Sequence, residues 1–299
     1  MRIRVSLTGA LLILLAGTAA SASNDSIVDR QVPAQPRGVV EIANVSGNIE
    51  VSGWDRSEVD VHAELSSDAT RVEVSGEGAH TSIKVMQPHA PGQGGEARLR
   101  VKIPKDSELD VSVVNADVTT GGVLGIQRLS TVSGDVLVEL AGADVELKTV
   151  SGGVRVKGHG QSARLHVSTV SGDVHLEHGG GDVEASTVNG ELTASLDNAH
   201  SVRARTTSGD LRFEGTLARG ATLEATSVSG NLSVRTTADS GYAYEVSSFS
   251  GEISDCFNAS PERTSQYGPG SRLVGTRGDG AGRVRLKTMS GSVQLCDHR

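Results

Sequence analysis

The chain has 299 residues, 37 of them glycine, is only 2% aromatic and carries a formal net charge of −8. So few aromatic rings leave no platform for stacking sugars, and a net negative charge argues against holding nucleic acid or an anionic membrane through a general field. Apart from the extreme N-terminus there is no helix-period apolar stripe, and strand-period alternation dominates.

Arg2 and Arg4 precede an apolar run from Val5 to Ala16, and Ala20-Ser21-Ala22 offers a small-residue cleavage site. Residues 1–22 therefore read as a secretory signal peptide, with Ser23 as the mature N-terminus. The run is too short to span a bilayer. Leu15-Ala16-Gly17 matches the start of a lipoprotein signal, but Thr18 stands where the lipidated cysteine must be. The expectation is a periplasmic or secreted chain that is not a lipoprotein and has no integral membrane segment. Losing Arg2 and Arg4 takes its formal charge from −8 to −10. Residues 23–37, with Pro33 and Pro36, read as an extended entry segment.

Residues 38–299 read as one domain built on a repeat. Thr-Val-Ser-Gly-Asp-Val occurs at Thr131 to Val136 and Thr169 to Val174, with variants from Thr149, Thr187, Thr206, Ser227, Ser248 and Thr288. Taking its glycine as position zero gives Gly134, Gly152, Gly172, Gly190, Gly209, Gly230, Gly251 and Gly291, mostly 18 to 21 residues apart. Degenerate copies centre on Gly47 and Ala116. Around Gly134, apolar residues stand at −5 (Leu129), −2 (Val132), +2 (Val136) and +4 (Val138); Val170 and Met289 repeat the −2 position, as do Val45 and Val114.

Alternation on either side of zero predicts two main strands per repeat, and the odd step from −5 to −2 predicts a corner between them. A Ser-Gly or Asn-Gly there can adopt positive φ or approach another backbone closely. One such unit cannot bury its apolar stripe alone, so the expected fold is all-β: a parallel β-solenoid whose ten coils, stacked at about 4.8 Å, make a rod of roughly 45 Å. Val136, Val154, Val174, Leu192, Leu211, Leu232, Ile253 and Val293, all at +2, should form one buried ladder. A disordered chain would have no reason to hold such a register.

Two segments interrupt the spacing. Residues 55–108 contain short alternating runs and read as a strand-rich cap over the open end; Trp54, the only tryptophan, should pack in it. Residues 257–282 read as a loop with one accessory strand from Arg272 to Thr276 before the last coil. Arg277-Gly278-Asp279 within it spells an adhesion tripeptide, most simply by chance. Cys256 and Cys296 each lie five residues after their glycine. If the Gly251 and Gly291 coils are neighbours, the two cysteines come within disulfide reach, and export favours oxidation.

No catalytic, cofactor or metal site is assigned. His166, His175 and His178 fall at offsets that face different ways. The acids Asp135, Asp173, Glu191, Asp210 and Glu252 share +1 but lack the Gly-Gly-x-Gly-x-Asp frame of calcium-binding β-rolls, so a turn role is expected. There is no Gly-x-Ser-x-Gly elbow, His-Glu-x-x-His or phosphate loop.

The order of phrases, Val-Ser-Gly-Asn-Ile-Glu-Val-Ser-Gly-Trp-Asp (Val45 to Asp55), then Val101-Lys102-Ile103-Pro104, successive Thr-Val-Ser-Gly-Asp-Val repeats and a closing Thr288-Met289-Ser290-Gly291, resembles the bacterial exported putative-adhesin family of β-strand-repeat domains of unknown function. The resemblance covers residues 38 to 299 and implies a β-solenoid of the bacterial cell envelope, with no catalytic residues to carry over. The expected function is a non-enzymatic scaffold, adhesion or binding surface for an envelope protein or a surface polysaccharide. The alternative is a carbohydrate-active parallel β-helix enzyme, which would need a concave groove with converging ionisable groups.

Overall fold

The computed structural model describes residues 26–66, 70–87, 95–237, 241–264 and 269–298; the signal-peptide and cleavage-site readings lie outside the described residues. Among the described residues every helix or strand is a strand, and the strands join into one continuous, mostly parallel network. Each repeat forms a rung, with one strand before its corner and one after. The pre-corner strands stack on each other as one face, the post-corner strands as the other, and the core lies between them.

Inward positions follow the alternation. Leu129, Leu147, Val167, Leu286 and Val246 at −5 are buried, and all eight +2 residues from Val136 to Val293 are buried against them. Strand pairing satisfies the backbone polar groups, so a narrow apolar interior has no orphan amides to accommodate.

The corner falls later than the apolar spacing suggests. The −2 residues Val45, Val114, Val132, Val170 and Met289, expected in the core, are exposed. Alternation instead continues one step past −5, so the −3 residue points inward: Thr131, Thr149, Thr169, Thr187, Thr206, Ser227, Ser248 and Thr288 are all buried. At three of these positions the hydroxyl, inside the bend, reaches a corner carbonyl, whereas those of Thr149, Thr169, Thr206 and Ser227 make no hydrogen bond within the chain. Thr187 Oγ1 donates to Gly172 O at 3.3 Å, Thr288 Oγ1 to Gly230 O at 3.3 Å and Ser248 Oγ to Gly291 O at 3.0 Å. Valine could fill the volume but could not make these bonds.

Rungs stack in chain order from Gly47 through Ala116 to Gly230, with Ser133 paired to Ser151, Ser151 to Ser171, Ser171 to Asn189, Asn189 to Ser208 and Ser208 to Ser229. Then the order changes. Ser229 pairs with Ser290, and Ser290 pairs in turn with Ser250. The last rung of the chain is therefore inserted between the Gly230 and Gly251 rungs, and the Gly251 rung ends the stack. Strand Ser271–Arg277, within the expected loop, pairs antiparallel with the outer edge of Tyr242–Ser250.

The opposite end also doubles back. Strands His80–Met86 and Ala97–Pro104 pair in parallel with Val39–Trp54, adding a rung outside the first one seen in the sequence. Antiparallel strands Arg71–Glu77, Glu58–Leu65 and Ser26–Pro33 finish that end. Most of the scarce aromatics gather at the ends, Phe213 being buried mid-stack. Trp54 donates from Nε1 to Glu58 O at 2.9 Å beneath Arg56 and Lys102, while Tyr242, Tyr244 and Phe257 pack edgewise at the other end.

Candidate interaction surface

All the corners but that of Ala116 are built by glycine because backbones touch there. A Cβ on Gly152 would lie 2.1 Å from Gly134 O, one on Gly172 2.0 Å from Gly152 O, and one on Gly190 2.1 Å from Gly172 O; Gly209, Gly230 and Gly291 repeat the contact, and Gly134 meets Ala116 O at 2.2 Å. Gly251 meets Gly291 O at 2.0 Å. No side chain fits such an approach.

Beside the glycines, the +1 carboxylates close the turns. Asp135 Oδ1 accepts the Gly153 N–H, Asp173 Oδ1 the Glu191 N–H, and Asp210 Oδ1 the Asn231 N–H, each at 2.8 Å. Asp117 does the same for Asp135, and Asn231 does it for Ser292. At five steps of the stack the row thus hands an acceptor to the next rung, and at four of them the acceptor is a carboxylate. Among the described residues no group of three His, Cys, Asp or Glu is placed to hold a metal ion. His166 sits 3.4 Å from Glu184 on the pre-corner face, and His178 Nδ1 sits 3.1 Å from Asp197, while His175 lies on the post-corner face.

On the other side of the corner, the −2 positions form a continuous exposed row: Val45, Val114, Val132, Val150, Val170, Val188, Thr207, Val228, Met289 and Phe249, in spatial order. Their apolar members are 41–55% exposed. Isolated exposed valines need no explanation, but a contiguous apolar strip with polar borders marks an interaction site. The sequence reading missed it because an apolar residue at fixed spacing was assigned to the core. The signal was present in parity: −2 and +2 cannot both face inward across a corner that leaves −3 buried.

The pre-corner face carries a second feature. At −6, from Arg128 onward, basic and acidic side chains follow one another along the stack with His166 between two acids: Arg128, Glu146, His166, Glu184, Arg203, Glu224, Arg285 and Glu245; at the other end Glu41 stands beside Asp110. A groove of about 630 Å³ crosses this row over Arg128, Glu146, His166, Glu184 and Arg203, with Asp144, Arg164 and Asp182 along its border. Three of its four acids meet cations: Asp144 lies 3.5 Å from Arg164, Glu184 3.3 Å from Arg205 and Glu146 2.5 Å from Lys148. The Lys148 ammonium holds the Glu146 carboxyl below its ordinary range, so it stays ionised and cannot serve as a proton donor at neutral pH.

Cys256 and Cys296 are bonded as a disulfide, their Cα atoms 4.9 Å apart, at the swapped end of the stack. Nearby, Arg277 is held by Asp297 at 2.5 Å and lies over the Phe257 ring, and Asp279 pairs with Arg219 at 3.3 Å. Both charged members of the Arg-Gly-Asp tripeptide are therefore engaged within the chain. Burial pushes the Tyr242 phenol far up, with Asp297 adding to the shift, so Tyr242 stays a neutral donor to that carboxylate.

The chain belongs to the Toastrack family (DUF4097), whose model matches residues 39–296. That family is a β-strand domain of unknown function. Among solved structures the chain is similar to a putative adhesin from Bacteroides fragilis, at 10% identity over 91% of this chain and 97% of that one, with a TM-score of 0.45. It is also similar to a putative adhesin from Parabacteroides merdae, at 9% identity over 93% and 98% with a TM-score of 0.37, and to a putative cell adhesion protein from Clostridium sporogenes, at 10% identity over 91% and 100% with a TM-score of 0.26. No curated protein matches the chain. No helix among the described residues is long and apolar enough to cross a membrane.

Proposed function

We propose that this protein is an exported, non-enzymatic β-solenoid of the cell envelope, a single domain over residues 38–299 behind a cleaved signal peptide, acting as a scaffold or adhesive binding surface. The observation that carries this reading is the repetition of one chemical row per rung. Arg128, Glu146, His166, Glu184 and Arg203 present one polar or charged side chain per rung across a shallow groove. Such a surface suits many weak contacts with an extended polar partner, an envelope protein or a surface polysaccharide, more than one reacting centre.

A glycoside hydrolase would ordinarily set two carboxyl groups across the bond, one of them kept protonated. In this groove the acids Asp144, Glu146 and Glu184 each face a cation from the same or a neighbouring rung. That pairing favours a binding role. Affinity capture from crosslinked cells with the mature protein tests it: a retained envelope protein or polysaccharide should be lost with the Arg128→Glu/Arg203→Glu variant. New reducing ends released from a polysaccharide panel, and abolished by Glu184→Gln, would replace this reading with the enzymatic one.

A further inference from the structure

We propose that the apolar row from Val45 to Phe249 is the contact through which two copies of this chain associate side by side, parallel and in register. The inference is independent of the groove reading, because the row lies at the corner and the groove on the pre-corner face.

Three observations carry it. The first is extent. Nine apolar residues, each 41–55% exposed, stand on one line at rung spacing, interrupted only by Thr207, where an ordinary surface scatters its exposed apolar residues singly.

The second is relief. Immediately beside the row run the small residues Ser133, Ser151, Ser171 and Ser208 at −1 and the corner glycines at zero. The apolar row therefore stands above a flat strip, and a second copy supplies both a ridge for that strip and a strip for that ridge, repeated at the same rung spacing.

The third is charge, which selects the orientation. Every charged residue in the +1 row is a carboxylate, from Asp117 to Glu252, whereas the charged residues in the −4 row are Lys148, Arg205 and Lys287, of which Lys148 and Arg205 also meet Glu146 and Glu184 of their own copy. A two-fold axis parallel to the stack lays the cationic border of each copy over the acidic border of the other, with Arg205 of one copy above Asp210 of its partner. A two-fold axis across the stack would set carboxylate on carboxylate along the whole length, which is repulsive. Parallel pairing also brings each ridge residue next to its own counterpart.

Sedimentation equilibrium of the mature protein should give twice the chain mass. Val170→Lys/Val188→Lys should weaken association by about 10-fold or more while leaving the circular dichroism spectrum of the folded chain unchanged, because both sites are exposed. Single-cysteine variants fix orientation, since the two native cysteines are already joined. Val132→Cys, Val170→Cys and Val228→Cys should each form a linked dimer under mild oxidation, and the control Ser168→Cys at −4 should not. A monomer at every concentration overturns the proposal, whether or not it binds phosphatidylcholine vesicles. So does a dimer unaffected by the ridge substitutions, or crosslinking no better at the ridge than at residue 168.

Discussion

Gly251 packs its Cα against the carbonyl oxygen of Gly291, forty residues later in the chain, while Gly291 packs against Gly230. The insertion has an electrostatic consequence. Stacked in chain order, the −6 row would set Glu224 beside Glu245; the observed order places Arg285 between them, 3.5 Å from Glu245. Like charges directly opposed across strands destabilise by up to about 1 kcal/mol, and opposed unlike charges stabilise by a similar amount. Arg285→Glu should therefore loosen the end of the stack. Hydrogen exchange should show faster exchange in Tyr242–Ser250 than in Val145–Ser151, and added salt should narrow the gap.

The corner glycines predict a steep local cost. Gly190→Ala puts a methyl group 2.1 Å from Gly172 O, where only backbone movement relieves the clash, and should lower stability by about 2–4 kcal/mol. Gly153→Ala is the control. Its Cβ would meet the Asp135 carboxylate at 3.3 Å, a side chain able to shift, and the cost should stay near about 1 kcal/mol or below. Urea midpoints at equal m-value decide between the two.

Position decides the fate of chemically identical residues. Val174 is fully buried, whereas Val170, four residues earlier, is 44% exposed. Val174→Asp buries an unpaired charge and should cost more than about 4 kcal/mol or abolish folding. Val170→Asp should change the stability of the monomer by less than about 0.5 kcal/mol. Equal losses at both sites would return the −2 row to the core.

These two valines also show how far the sequence could be read. Period-two alternation around Gly172 is a local property, so the strands and the +2 positions were legible from spacing alone. The inward turn of Thr169 was not, because threonine reads as a polar residue that alternation leaves to solvent. Rung order was hidden for a different reason: Gly251 and Gly291 carry the same motif, and the motif does not say which neighbour each will stack on. Likewise, His80–Met86 and Ala97–Pro104 form a rung without the Ser-Gly signature, so residues 55–108 read only as a cap. The apolar row was misread because spacing reports regularity, and a regular exposed row has the same period as a buried one.

The Cys256–Cys296 bond ties the inserted rung to the rung that ends the stack, closing a loop of 40 residues. In the chain-entropy model a loop of this length contributes roughly 4 kcal/mol. Reduction should therefore lower the melting temperature, and Cys256→Ser/Cys296→Ser should do the same. Because rungs contact only their neighbours, the loss of protection should concentrate in Tyr242–Ser250, Gly282–Ser290 and Val293–His298 and spare Val39–Trp54. Uniform loss along the stack would contradict nearest-neighbour stability.

At the other end, His62 links two edge strands. Its Nδ1 lies 2.6 Å from Asp29 Oδ1, and its Nε2 lies 3.5 Å from Glu64, which Arg98 and Arg100 hold ionised below its ordinary range. The hydrogen bond to Asp29 is the main cause raising the His62 imidazole above its ordinary 6.5, assisted by the charges of Asp29 and the bond to Glu64 and opposed by partial burial and Arg100. With the folded-state value above the unfolded one, the contact contributes in full below about pH 6.5 and is lost as pH rises through the folded-state value. The pairing of Ser26–Pro33 with Glu58–Leu65 should therefore weaken above neutrality. Amide exchange in Ser26–Pro33, corrected for intrinsic rates, should accelerate as pH rises above about 6.5. His62→Gln should remove that dependence while leaving exchange in Val145–Ser151 unchanged, and a pH response that survives the substitution would assign the effect to another group.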